Sequence, residues 1–115
     1  MPALHHLALR THDVPALAQF YRDWLGLPVA RELLPRALWL ALDGDAVLMI
    51  ERAEAAEPGV PVGSLELFAV RVTVAQREAL RERLVAAGRL EAETAHTVYF
   101  RDPDGRRVGA SSYAL

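Results

Sequence analysis

Few side chains in this chain can do chemistry, and their types narrow what that chemistry is. His6 and Tyr99 are the pair able to exchange a proton with a bound molecule. No nucleophile–base–orienter trio accompanies them. Ser111 and Ser112 lack a G-x-S-x-G elbow, and no glycine loop is built to cradle a phosphate. Trp39 and Tyr99 can stack on a planar or cationic ligand. Arg10, Arg71 or Arg107 can pair a carboxylate. The chain has no cysteine, which removes disulfides, thiolate nucleophiles and Cys-ligated zinc. All thirteen basic residues are arginine, so Schiff-base and P-loop lysine chemistry are excluded as well.

The elements that must position these residues follow from hydrophobic period and turn chemistry. Leu4 to Arg10 alternates and predicts a strand. Asp13 is placed to cap a helix with Pro15 in its first turn, where a missing N–H costs nothing. Leu17, Phe20, Tyr21, Trp24 and Leu25 recur at helical spacing over 14–25, and Gly26 ends the helix. Strands are expected over 28–33, 37–42 and 46–51, with Asp43-Gly44-Asp45 as a turn. Residues 53–63 hold prolines and glycines that break regular structure, and predict a linker. The order then restarts. A strand over 65–72 is followed by Thr73 and Gln76, spaced for a capping box, and by a helix marked by Leu80, Leu84 and Val85 that stops at Gly88. A short segment near 90–93, strands over 96–100 and 107–113, and the turn Asp102-Pro103-Asp104-Gly105 complete the chain.

The two halves thus repeat one order: strand, helix, three strands. His6-Leu7-Ala8-Leu9-Arg10 matches Leu67-Phe68-Ala69-Val70-Arg71, and Gly26 matches Gly88 one helix later. At 115 residues, 52% of them hydrophobic, the chain suits one domain with a proper core: module one 1–52, linker 53–63, module two 64–115. A net charge of −2 with scattered arginines lacks the basic stripe of a nucleic-acid binder. No apolar run is long enough to cross a bilayer and no signal layout opens the chain, so no membrane partner and a cytoplasmic location are expected. Arginine without lysine, abundant alanine and no asparagine suggest a high-GC bacterial source.

Three strings carry a family resemblance: His6-Leu7-Ala8-Leu9-Arg10, then Phe20-Tyr21-Arg22-Asp23-Trp24-Leu25-Gly26-Leu27, and Val98-Tyr99-Phe100-Arg101-Asp102-Pro103-Asp104-Gly105. With them the chain resembles the glyoxalase/bleomycin-resistance/dioxygenase, or vicinal oxygen chelate, superfamily over nearly its whole length. The resemblance implies an α+β fold of two βαβββ modules, whose curved mixed sheets surround a pocket, and commonly a homodimer. Physically the strings are structural: aromatic residues pack a helix on a sheet, and Pro103 and Gly105 set a tight hairpin turn. They indicate fold, and fold does not settle function.

The resemblance also implies a divalent metal held by three or four His and carboxylate ligands on the first and last strand of each module. Carried over one position at a time, the first falls on His6, a match. The other three fall on Met49, Leu67 and Gly109, none a suitable ligand for Zn, Ni, Mn or Fe. One ligand in four does not hold a catalytic metal, so no metal is expected and His6 is read as pocket-lining. The alternative is a shifted site of His6, Glu51 and Glu66. Glu51 shares a strand face with Met49, whereas Glu66 needs a bulge or a one-residue register shift to turn inward. Alternation points His5 and His96 away from the pocket.

Alternation from His6 puts Ala8 and Arg10 on the pocket face, with Trp39, Ala41, Val47 and Met49 from the rest of module one. Module two contributes Leu67, Ala69, Arg71, Thr97, Tyr99, Arg107 and Ser111. This largely apolar set, with an aromatic pair and a few polar groups, has the chemistry of a small-molecule site. The expected function is a protein of the bleomycin-resistance kind that binds a small organic molecule without the usual metal. The alternative is a metal-dependent lyase, dioxygenase or thiol transferase using His6, Glu51 and Glu66. A third reading is a degenerate module that serves only to dimerise or bind a partner.

Overall fold

The computed structural model describes residues 1–115. Its elements are β1 (His6–Thr11), α1 (Val14–Leu25), β2 (Val29–Leu33), β3 (Ala37–Ala41), β4 (Val47–Arg52), β5 (Leu67–Arg71), α2 (Val74–Ala86), β6 (Ala92–Glu93), β7 (Thr97–Arg101) and β8 (Arg107–Ser111). A 3₁₀ turn, Asp43–Asp45, joins β3 to β4. The chain divides into two compact units, Met1–Gly59 and Val60–Leu115. Each is one βαβββ module with an open four-stranded mixed sheet. The strand orders are β1-β4-β3-β2 and β5-β8-β7-β6. The first and last strands of each module are parallel neighbours, and the remaining pairs are antiparallel.

The repeat seen in the sequence is a repeat of register. In the first unit His6 pairs with Val47 and Met49 with Trp39; in the second Leu67 pairs with Arg107 and Gly109 with Tyr99. Position for position, His6 therefore corresponds to Leu67, Met49 to Gly109 and Trp39 to Tyr99.

Local chemistry explains the helices. Asp13 accepts the Ala16 N–H at 3.1 Å, Pro15 lies in the first turn, and Gly26 closes α1 in the left-handed region at φ 65°. Leu17, Ala18, Phe20 and Tyr21 are buried as α1 packs on β3 and β4. Thr73 and Gln76 form the expected reciprocal capping box, and Leu80 and Leu84 are the buried residues of α2, which packs on β7. Val85 departs from expectation: it is 52% exposed, because the buried stripe of α2 is narrow and stops at Leu84. Asp43-Gly44-Asp45 turns as expected, with Gly44 and Asp45 both at positive φ.

Each sheet has a helix-covered face and a helix-free face. Leu38, Leu40, Leu48 and Ile50 lie under α1, and Val98, Phe100, Val108 and Ala110 form the matching buried set of the second unit. Most alternate residues of the same strands are half-buried, with Ala37, Thr97 and Gly109 buried. Strand alternation assigns Trp39, Met49, Tyr99 and Arg107 to the helix-free faces.

Candidate functional site

The helix-free face of the first unit is a grid set by register. His6, Val47 and Ala41 form one row, Ala8, Met49, Trp39 and Arg31 the next, and Arg10, Glu51 and Ala37 the third. Trp39 has the Arg31 guanidinium over its ring, 5.5 Å from the centroid. Its Nε1 is buried and has no hydrogen-bond partner, which leaves a donor free for an acceptor brought by a ligand. Arg31 was not anticipated. Its pairing with Trp39 depends on the register of β2, shifted by an irregularity between Val29 and Arg31.

Arg10 is not open. Its Nε and Nη2 donate to the two carboxylate oxygens of Glu57 at 3.0 and 2.8 Å. That hydrogen bond raises the guanidinium pKa above its ordinary value and lowers the carboxyl of Glu57 below its own. Glu57 belongs to the expected linker, yet the start of that stretch is tied to the first unit: the Ala53 N–H also donates to the Thr11 carbonyl at 2.8 Å. A carboxylate so far along the chain gives no local sequence signal of the arginine it will meet.

The possible metal donors do not assemble. His6 lies beside Val47, whereas Glu51 lies four residues further along β4, beside Arg10. At the rise of a strand that is about 13 Å, too far for the two side chains to share an ion. Glu66 precedes β5, and its N–H donates to Ser64 Oγ at 3.3 Å. No three His, Asp or Glu side chains converge in a way that could hold a metal. Nor do Met49, Leu67 and Gly109 supply hard donors. The residues present therefore do not fit a divalent cation held by three or four His and carboxylate ligands. His5 is exposed. It precedes β1, free of strand alternation, and its ring meets His6 edge-on with the two Nδ1 atoms 2.9 Å apart.

The helix-free face of the second unit is a matching grid: Leu67, Arg107 and Arg101; Ala69, Gly109 and Tyr99; Arg71, Ser111 and Thr97. At its centre Gly109 leaves little room for a side chain. A Cβ there would stand 3.1 Å from the Ala69 Cβ and 3.3 Å from the Tyr99 ring. Tyr99 thus fills the volume that a longer residue at 109 would need. Arg107 lies over that ring, 4.4 Å from its centroid. Its Nε is 3.1 Å from Glu91 Oε1 but buried and not aligned for a hydrogen bond. Arg101 engages both oxygens of Glu91, through Nε to Oε2 and Nη2 to Oε1, and donates Nη1 to the carbonyls of Ser64 and Gly105. The hydrogen bond from Arg101 lowers the Glu91 carboxyl below the usual range, with a smaller contribution from Arg107. Thr97 Oγ1 donates to Ser111 Oγ at 2.7 Å. Arg71 is exposed and its side chain has no ion pair or hydrogen bond. Arg101 could have been placed on this face, since it lies two residues beyond Tyr99 on one strand. Glu91 precedes β6 and carried no such signal.

The profile of the Glyoxalase/Bleomycin resistance protein/Dioxygenase superfamily matches residues 3–109. Among solved structures, a lactoylglutathione lyase from Agrobacterium tumefaciens aligns with a TM-score of 0.71 at 25% identity, covering 95% of this chain and 92% of the other. A fosfomycin resistance protein, FosX, from Listeria monocytogenes aligns with a TM-score of 0.79 at 14% identity, covering 100% and 94%. The oxidase ChaP-H2 aligns at 0.77 and 19% identity, covering 99% and 95%. The last two likenesses, at such identities, bear on fold alone. No curated protein matches the chain in sequence.

Proposed function

Since the chain belongs to the Glyoxalase/Bleomycin resistance protein/Dioxygenase superfamily, we propose that it binds a small organic molecule on the helix-free faces of its sheets, without a resident divalent metal. The observation that carries this reading is the packing around Gly109, where the ring of Tyr99 takes the space a ligating side chain would need. Met49 and Leu67, at the other two positions, agree with it. The unpartnered Nε1 of Trp39 supports a ligand that brings an acceptor.

His6, Arg10, Trp39 and Met49 are the proposed contributors from the first unit. Leu67, Arg71, Thr97, Tyr99, Arg107 and Ser111 are those from the second. In the same reading, modules 1–52 and 64–115 are joined by 53–63, and the protein works as a homodimer in the bacterial cytoplasm. No helix is long and apolar enough to cross a membrane.

Elemental analysis of protein purified without chelators tests the proposal. The expected result is well below one metal per chain, together with thermal stabilisation by some members of a small-molecule set. Close to one Zn, Ni, Mn or Fe per chain, lost on His6→Ala, would overturn it in favour of a metal-dependent lyase, dioxygenase or transferase.

A further inference from the structure

The helix-free face of the second unit is closed on one side and open on the other. On the β7–β8 side Gly109 and Thr97 are buried, the Tyr99 ring stands against Gly109, and Arg107 is paired with Glu91 at 3.1 Å. On the β5 side Leu67 is 41% exposed, and Ala69 and Arg71 are exposed as well. β5 is an edge strand, so no strand of its sheet flanks its outer side. Leu67, Ala69 and Arg71 share one face of that strand. Two apolar positions about 7 Å apart therefore lead to an arginine the same distance further on.

That arginine stands beside a second free donor. The Arg71 guanidinium has no ion pair or hydrogen bond, whereas Arg10, Arg81 and Arg101 each hold a carboxylate. Ser111 is its neighbour across the parallel pair. Ser111 Oγ accepts the Thr97 hydroxyl at 2.7 Å and the Tyr113 N–H at 3.2 Å. Both of its lone pairs are then used, and its own O–H has no acceptor in the protein. A guanidinium fork and a hydroxyl proton, with no acceptor between them, match a group made of acceptors only. An oxyanion is such a group.

Resting on the small-molecule reading above, we propose that the β5 side of the second unit binds an organic molecule with an oxyanionic head and a straight apolar tail. Arg71 and the Ser111 hydroxyl hold the head, a carboxylate or a phosphate monoester. Ala69 and Leu67 carry the tail. The apolar stretch is one strand wide, which suits an aliphatic chain better than a fused ring.

Titration of the ¹⁵N-labelled full chain with octanoate, octyl phosphate, octanamide, octylammonium and butyrate, followed by amide chemical shifts, tests this. Octanoate or octyl phosphate is expected to shift the amides of Leu67, Ala69, Arg71 and Ser111 and to bind about threefold or more tightly than octanamide, as an exposed charge pair allows. The tighter of the two identifies the head group. Octylammonium is expected to bind more weakly than the amide, and butyrate about fivefold or more weakly than octanoate, since it buries less apolar surface. Arg71→Gln should erase the preference for the anion. Arg36→Gln, which removes an exposed and unpaired arginine from the first unit, should leave that preference unchanged. Ser111→Ala should reduce it, and the comparison of probes on the unmodified protein stands even if that variant does not fold. Equal binding of anions and amide, or equal effects of the two arginine variants, would overturn the oxyanion proposal and leave small-molecule binding intact. The proposal also falls if butyrate binds as well as octanoate, or if these amides shift with protein concentration alone, which would place a second copy of the chain on β5. If no probe moves them, β5 is not a site, and thermal stabilisation by other small molecules still decides the broader reading.

Discussion

At position 109 the backbone of β8 passes under the Tyr99 ring and beside the Ala69 methyl, with contacts of 3.3 and 3.1 Å awaiting any Cβ. Contacts this short force the neighbours to give way, and the ring cannot move without disturbing Arg107 above it. Gly109→Ala is expected to cost about 1–3 kcal/mol by overpacking, measured by urea unfolding. Adding Ala69→Gly should restore part of the loss, and a G109A protein as stable as its parent would show the packing to be looser than described. Asp102 is a second residue whose role is local. Its side chain is buried, and Oδ1 accepts from the N–H groups of Asp104 and Arg106 while Oδ2 accepts from Arg106 Nη1 at 2.6 Å. Asp102→Ala leaves those donors unpaired and is expected to lower stability by about 2–4 kcal/mol. Of these roles, the turn at Asp102-Pro103-Asp104-Gly105 was legible in the sequence, because turn chemistry is local. The reason for Gly109 was not, because the ring that requires it comes from another strand.

At the scale of elements, the second helix separates propensity from packing. Its amino end is set by the Thr73–Gln76 capping box, with hydrogen bonds of 3.1 and 2.9 Å. Thr73→Ala should cost about 1 kcal/mol. Leu84 and Val85 are adjacent, yet one is fully buried and the other more than half exposed. Leu84→Ala is therefore expected to cost about 2–5 kcal/mol, and Val85→Ala within about 0.5 kcal/mol of zero. Thermal or urea unfolding of the pair decides whether the stripe of α2 ends where described; similar losses in both would sink that assignment. The sequence suggested that all three of Leu80, Leu84 and Val85 faced the sheet. Apolar spacing alone does not say how wide a stripe the sheet can cover.

Across the whole molecule, three of the carboxylates that arginines hold stand out: Glu57 with Arg10 in the first unit, Glu91 with Arg101 and Glu93 with Arg81 in the second. In each case the hydrogen-bonding guanidinium lowers the carboxyl pKa below its ordinary value. A depressed folded-state pKa gives stability that is fully present above the unfolded value, about 4.3 for Glu. That stability is lost as pH falls through the lower folded-state value. Both units should therefore lose stability on acidification below about pH 4.5. Glu91→Gln is expected to melt below its parent at pH 7, with the gap closing as pH falls into that window. Thermal unfolding from pH 7 to pH 3 measures it, and a gap that is constant with pH would rule out the charge contribution. The exposed pairs are also expected to weaken in salt.

The sequence by itself determined the modular order, the helix caps, the turns, the family and which strand residues share a face. Each depends on neighbours a few positions apart or on a repeat running the length of the chain. It also named Met49, Leu67 and Gly109 as departures from a metal site. Only the tertiary structure decided what stands in their place and which carboxylate each arginine meets. Arg10 is engaged by a carboxylate 47 residues away, and Arg107 is pressed on Tyr99 beside a carboxylate already shared with Arg101. Strand alternation fixes where a side chain points. Whether its charge is already matched depends on residues that only the folded chain brings alongside.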